Sequence, residues 1–447
     1  MLVRFGIENF KSFASEHVLD LQANERHKEN LDFNAFVPAV AGQPRILKVA
    51  AIFGPNASGK SNVLKAMQIL RRMVLRERMP DGREAISALQ PFAFCENPFE
   101  KPTNFEVEIQ VDGVSYAYDL SIHNGLVSYE ALKRKEAFGR WQRVFVRQAV
   151  RPLGTEEEKK LFLDASVEEL YRYSYGRHFS GPKKNWETVT SPDATFLGTA
   201  SVFAAKPLKP VFNWFKSNLV VLNELESLNE LFTIEKLATD PDMKAAVVNF
   251  LKSADLGLSD VMVEKLRVPG KAFHVDPLSG RAEVRNEEHE VFQVGLKHTV
   301  SGREWTLPFG DESMGTRRML HLAGPLIDMM KKEITLFVDE LETSLHPILV
   351  EKIVEAFESH AMASSGSQLI MTTHCDSLLE NDTRHPDSPL LRRDQVWFTD
   401  KNSKLESRLY SLDEFQPRKN ESIKLGYRSG RYRGVPFIDE LSVGGDE

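Results

Sequence analysis

The chain predicts an α/β fold with a mixed central sheet, an antiparallel β-subdomain and an inserted helical subdomain. Three observations predict it. An apolar run at 46–53, a glycine-rich loop and a helical pattern at 62–73 follow one another directly. A second apolar run at 334–338 ends in two carboxylates. A helical pattern and a third apolar run at 369–373 follow it, as a β-α-β unit would. Between these parts, residues 105–133 alternate apolar and polar side chains around Asp112-Gly113 and Asn124-Gly125, which read as hairpin turns.

Bulk properties bound the rest. A chain of 447 residues with 42% hydrophobic and 27% charged side chains is long enough for two or three subdomains. The formal charge of −7 argues against general nucleic-acid coating but leaves room for a local basic patch. Two cysteines, Cys95 and Cys375, supply neither a disulfide framework nor a metal pattern. No apolar run approaches a membrane span, and the first ten residues alternate like a strand without a signal-peptide core. A cytoplasmic protein with no membrane partner is expected.

Along the chain, 2–10 and 17–22 read as a hairpin, and 22–45 as a polar loop leading to the glycine-loop strand. Residues 155–256 are mixed polar and helical, with periodic leucines at 221–236 and 242–256. Asp240-Pro241 is a strong helix start, with Asp as the cap and Pro in the first turn. Strands return at 259–309, with turns at 276–280 and Ser301-Gly302. There is no internal repeat and no long heptad run. The expected segments are an N-terminal lobe at 1–150, a helical insertion at 151–258, a C-terminal lobe at 259–400, and a terminal segment at 401–447 that is basic and then acidic.

Gly54-Pro55-Asn56-Ala57-Ser58-Gly59-Lys60-Ser61 matches the phosphate-binding P-loop pattern. Strand, glycine loop and helix aim backbone N–H groups and a helix N-terminus at a triphosphate. Lys60 would reach the β- and γ-phosphates and Ser61 would hold Mg²⁺. The run ending in Asp339 and Glu340 is a Walker B pattern: Asp339 can bind the metal that Ser61 holds, and Glu340 can orient or deprotonate a water. His374 ends the third apolar run at the same sheet edge and is a candidate γ-phosphate sensor. Ser313 and Gly315 open a helix at 319–330. That start is either an anion-binding N-terminus or an ordinary cap.

Together these motifs resemble the ABC-type ATPases of the SMC, Rad50 and RecF kind, and more closely the stand-alone AAA-15 or OLD-like ATPases of bacterial defence. Phe5 to Phe13, with Lys11 and Ser12, looks like the N-terminal strand motif. Gly54 to Ser61 is the Walker A loop. Glu312-Ser313-Met314-Gly315-Thr316 resembles a divergent signature, Glu342 to Pro347 the D-loop, and Thr373-His374 the H-loop. The resemblance implies an ABC-ATPase head that uses ATP and Mg²⁺ and hydrolyses ATP. Two protomers would pack head to head, with Ser313 and Gly315 reaching the partner's nucleotide, and Ser344 and His346 at the crossing. It further implies a switch in phage defence or abortive infection, since the stretch after His374 is too short for a Toprim nuclease domain. A separately encoded effector, a nuclease or toxin, is therefore expected. A RecF-like DNA-sensing ATPase and an ATP-bound scaffold that sequesters a toxic partner are the alternatives.

The signature departs from the transporter form, and Gln90, Gln142 and Gln148 are all candidates for the Q-loop glutamine. Arg418, Lys419, Lys424, Arg428, Arg431 and Arg433, interleaved with Tyr427 and Tyr432, form a basic stretch. It could hold nucleic acid through phosphates and stacked bases, or be a solvated surface offset by Asp439, Glu440, Asp446 and Glu447.

Overall fold

The structure, a computed structural model, describes residues 1–28, 30–38, 43–164, 167–222, 228–253, 257–275, 282–358, 366–380, 390–418 and 421–435. The expected turn at 276–280, Lys419 and the terminal acids lie outside the described residues. The chain divides into two compact units: Met1–Asn223 with Lys332–Glu342 and Val350–Glu447, and Glu224–Lys331 with Thr343–Leu349.

The first unit holds two large sheets. Its six-stranded sheet runs in the order Leu219–Leu222, Thr335–Val338, Gln368–Thr372, Val49–Phe53, Val396–Lys401, Ser407–Ser411. The first five are parallel and the last pairs antiparallel, so the sheet is mixed, as expected. Parallel strands are covered on both faces and therefore read as unbroken apolar runs. Val49–Phe53 and Thr335–Val338 are buried at every position. The apolar run at 46–53 is split at Lys48, which is 1% exposed. Its ammonium donates to the Phe33 carbonyl and, at 3.2 Å, to that of Glu358. Burial pulls this lysine below its usual pKa.

The second sheet has seven strands and is antiparallel throughout. Its order is Tyr171–Tyr175, Gln142–Ala149, Leu126–Lys135, Val114–His123, Thr103–Val111, Leu2–Glu8, His17–Asp20. The expected N-terminal hairpin thus joins the antiparallel subdomain as its last two strands. Gln368 connects the two sheets: its amide accepts from Leu2 N at 2.6 Å and donates to Leu2 O at 2.9 Å and Leu47 O at 3.1 Å.

The stretch 151–258, expected to be helical, contributes a strand to each sheet. Tyr171–Tyr175 pairs with Gln142–Ala149, and Leu219–Leu222 pairs with Thr335–Val338. Leu-Val-Val-Leu is too short to show a period, so the sequence does not separate strand from helix there. Glu130 and Arg147, both 0% exposed, attach the helix Phe196–Val202 to the antiparallel sheet. Glu130 accepts from Phe196 N at 2.6 Å, Leu197 N at 2.8 Å and the Tyr118 hydroxyl at 3.0 Å. Arg147 lies 3.7 Å from Glu130 and donates to Ala194 O at 2.6 Å and Ser191 O at 3.0 Å. Breaking a buried pair from one side leaves a charge uncompensated. Arg147→Met should therefore lower unfolding stability by about 3–5 kcal/mol. Urea unfolding checks this, and a loss under ~1 kcal/mol would mean that solvent reaches the pair.

The second unit contains a three-stranded sheet, Leu258–Val275, Ala282–Val300 and Arg303–Pro308. Its helices include Leu228–Thr239, Pro241–Ser253 and Met314–Lys331. Asp240 caps the second of these as the sequence predicts, accepting from Asp242 N and Met243 N at 3.0 Å each. Pro325 lies inside the third. A helical proline leaves the carbonyl four residues earlier without its donor. That carbonyl is His321 O, and the Thr233 hydroxyl donates to it at 3.1 Å.

Candidate nucleotide site

The glycine loop joins Phe53 to the helix Lys60–Leu75, which begins two residues earlier than its apolar pattern indicates. Gly54 and Gly59 have φ of 156° and 112°. A Cβ on Gly54 would sit 2.4 Å from Thr399 Oγ1, and one on Gly59 2.4 Å from Ser407 Oγ. Neither position tolerates a side chain, because the two C-terminal strands press against the loop. Ser58 Oγ lies 2.5 Å from Thr399 Oγ1, and Ser407 Oγ donates to Ser58 O at 2.6 Å. Pro55, Asn56 and Ala57 form the crest of the loop, with Ala57 at φ 61°.

Lys60 is 5% exposed and donates to Gly54 O at 2.8 Å and Pro55 O at 3.0 Å. Burial pulls its pKa down, and the carboxylates of Glu340, Glu342 and Asp339 oppose that shift. Ser61 Oγ donates to Asp339 Oδ1 at 3.0 Å, and Thr372 Oγ1 donates to the same oxygen at 2.6 Å. Mg²⁺ takes one or two protein ligands and fills its octahedron with phosphate and water oxygens. The pair Ser61 and Asp339 fits that demand. Among the described residues there is no group of three or more His, Cys, Asp or Glu able to hold a metal.

Glu340 has φ 45°, a left-handed conformation uncommon for a residue with a Cβ. Its N–H is held by Thr372 Oγ1 at 2.7 Å. The Thr372 hydroxyl thereby contacts both the Asp339 carboxylate and the Glu340 backbone. His374 follows the same strand; its N–H donates to Glu342 Oε1 at 2.5 Å. Burial, then the Lys60 charge, pull the imidazole below the usual histidine pKa, against Glu342 and Glu340. It is held neutral near pH 7, with one ring N–H to donate.

Lys11 and Ser12 flank the loop helix. Ser12 Oγ accepts from Asn62 Nδ2 at 2.7 Å, and Lys11 Nζ donates to Gln90 Oε1 at 2.8 Å. Of the three Q-loop candidates, Gln90 is the one hydrogen-bonded to this turn; Gln142 and Gln148 lie on the Gln142–Ala149 strand. Ser313 and Gly315 belong to the second unit. Ser313 Oγ accepts from Thr316 N at 3.1 Å, so the ordinary helix cap is present. Gly315 leaves room for the D-loop backbone: a Cβ there would be 2.8 Å from Ser344 O. Ser313, Met314 and Ser344 are exposed.

Sequence patterns assign no role to Thr372, Asn62, Thr399 or Ser407. Thr372 carries a usable signal, a hydroxyl at the end of an apolar strand two residues before a histidine. Thr399 and Ser407 carry none, being distant from every motif. Of the readings left open for the basic stretch, base stacking on Tyr427 and Tyr432 does not fit: they are 7% and 0% exposed and pack with Phe398. Three of the basic side chains pair internally: Arg428 with Asp376, Lys424 with Glu380, and Arg431 with Glu421.

The P-loop strand lies in one parallel sheet beside the strand that leads to His374, with the strand that leads to Asp339 next to that one, which is the arrangement of a P-loop NTPase. The chain belongs to the AAA_21 family, described as "AAA domain, putative AbiEii toxin, Type IV TA system", which matches residues 49–380. No curated protein matches it. Solved structures similar to it include an SMC head bound to the C-winged helix domain of ScpA, at TM-score 0.40 and 12% identity, covering 92% of this chain and 97% of that one. The SMC head domain from Thermotoga maritima is similar at TM-score 0.37 and 13% identity, covering 92% and 98%. The recombination mediator RecF with ATPrS is similar at TM-score 0.36 and 12% identity, covering 92% and 98%.

Proposed function

We propose that this protein binds and hydrolyses ATP with Mg²⁺ as a molecular switch of a phage-defence or abortive-infection system. One observation carries the catalytic part: Lys60, Ser61, Asp339, Glu340 and His374 converge at the carboxyl edge of one parallel sheet, where ligands of such sheets bind. Loop amides and Lys60 bind the β- and γ-phosphates. Ser61 and Asp339 hold Mg²⁺, which neutralises phosphate charge when bound. Glu340 orients and deprotonates water, and the neutral His374 donates to the γ-phosphate. Ser313 and Gly315, presented on the second unit, complete a partner protomer's site, so ATP biases a homodimer toward closure. The toxin–antitoxin wording of the family supports the defence role.

Phosphate release from ATP by the full-length protein tests the reading. It should require Mg²⁺ and stop with chelator; protein that binds no ATP and releases no phosphate contradicts it.

His374 gives a pH test. Its neutral form persists to a pH below the ordinary 6.5. The acid limb of kcat/KM that it contributes should therefore lie below 6.5 and vanish in His374→Gln, which donates but does not titrate. A limb that is unchanged in the variant would remove His374 from the chemistry.

A further inference from the structure

A cavity of about 310 Å³ opens on the antiparallel subdomain, away from the glycine loop. Arg134, Arg143, His178 and Lys206 line it, with Tyr116 and Phe179 buried beneath them at 7% and 4% exposed. Nothing in the nucleotide chemistry above uses these residues.

A close backbone approach shapes this concavity beside the strand Gln142–Ala149. Gly176 N donates to Val144 O at 3.0 Å, and a Cβ on Gly176 would lie 1.7 Å from Arg143 O. Only glycine lets the 176–180 turn press onto this strand and bring His178 and Phe179 beside Arg143. The Lys183 ammonium lies 4.8 Å from the Tyr175 ring centroid and anchors the far side of the turn.

The charge here is unlike that of the whole chain. Residues 133–143 carry Lys133, Arg134, Lys135, Arg140 and Arg143 against one acid, Glu136; residues 172–184 carry four Lys or Arg and no acid. Glu136 takes one edge of Arg134, at 2.6 Å from Nη2, and is itself 71% exposed. Arg134 Nε is buried with no hydrogen-bond partner. Arg143 Nη1 spends one donor on Ser174 Oγ at 3.1 Å, and Lys206 makes no ion pair among the described residues. A buried guanidinium nitrogen without an acceptor is costly, and a planar fork of donors matches phosphate oxygens.

We propose that this cavity is a second ligand site, for the phosphate of a small organic phosphate such as a nucleoside monophosphate, free or at the 5′ end of a nucleic-acid strand. The cations take the phosphate. The volume is at the lower end for small-ligand sites and suits one nucleotide, not a polymer.

The test titrates AMP into full-length Lys60→Ala protein, whose glycine loop is disabled, by calorimetry. One saturable site per chain is expected. Arg134→Gln with Arg143→Gln should weaken it by about tenfold or more, while Lys209→Gln, basic and outside the cavity, should change it less than about twofold. A 5′-phosphorylated oligonucleotide that competes where its 5′-hydroxyl form does not identifies a strand end as the source; competition by AMP alone identifies the free nucleotide. Circular dichroism and thermal melting verify that each variant is folded. The proposal is overturned by no saturable binding of either ligand, by binding indifferent to the double substitution, or by an equal loss in Lys209→Gln.

Discussion

Lys60→Ala should abolish ATP turnover, with a fall of at least about 10²–10³-fold, the range seen when one transition-state charge donor is removed. The Lys60 ammonium sits in the field of Asp339, Glu340 and Glu342. Within the loop it is occupied with Gly54 O and Pro55 O. Those carbonyls are replaceable partners, so the lysine can exchange them for phosphate oxygens without leaving a buried charge unpaired. Alanine removes both roles: the loop loses two hydrogen bonds and the phosphates lose their cation. ATP affinity should therefore fall together with turnover. Calorimetric ATP binding and phosphate release measure the two separately; undiminished turnover would reject the assignment of the loop.

Glu340→Gln should separate them. Glutamine keeps the size of the side chain and the backbone N–H bond to Thr372. It removes only the ability to accept a proton. ATP should still bind, turnover should fall by about 10²–10⁴-fold, and the ATP-bound homodimer should persist. Size-exclusion chromatography with and without ATP reads the dimer. A Gln variant that turns over like the parent would mean that another group activates the water, and the closed dimer would then not accumulate.

Both substitutions act on motifs that are legible in short runs of consecutive residues. A P-loop has a fixed spacing because its backbone turns must enclose a phosphate, and a Walker B strand is apolar because it is buried on both faces. Such requirements are local, so Gly54 to Ser61, Asp339, Glu340 and His374 can be named from sequence. The strand at 219–222 cannot be, because four apolar residues carry no period and the partner strand at 335–338 lies over a hundred residues away. The terminal strands at 396–401 and 407–411 stay hidden for the same reason, although Thr399 and Ser407 explain why Gly54 and Gly59 must be glycine.

The basic C-terminal stretch shows the opposite limit. Its composition matches a nucleic-acid surface, yet Tyr432 is fully buried and donates to Glu421 at 2.7 Å. Composition counts charges but does not say which carboxylates fold back to meet them. By itself, the sequence determined the motifs: a glycine loop, two carboxylates and a histidine, each at a strand end. Only the tertiary structure decided which distant groups hold them. Thr372 under Asp339 and Glu340, Glu342 at the His374 backbone, and the strands against the glycine loop are contacts across a sheet. A contact across a sheet depends on strand order, which no local pattern encodes.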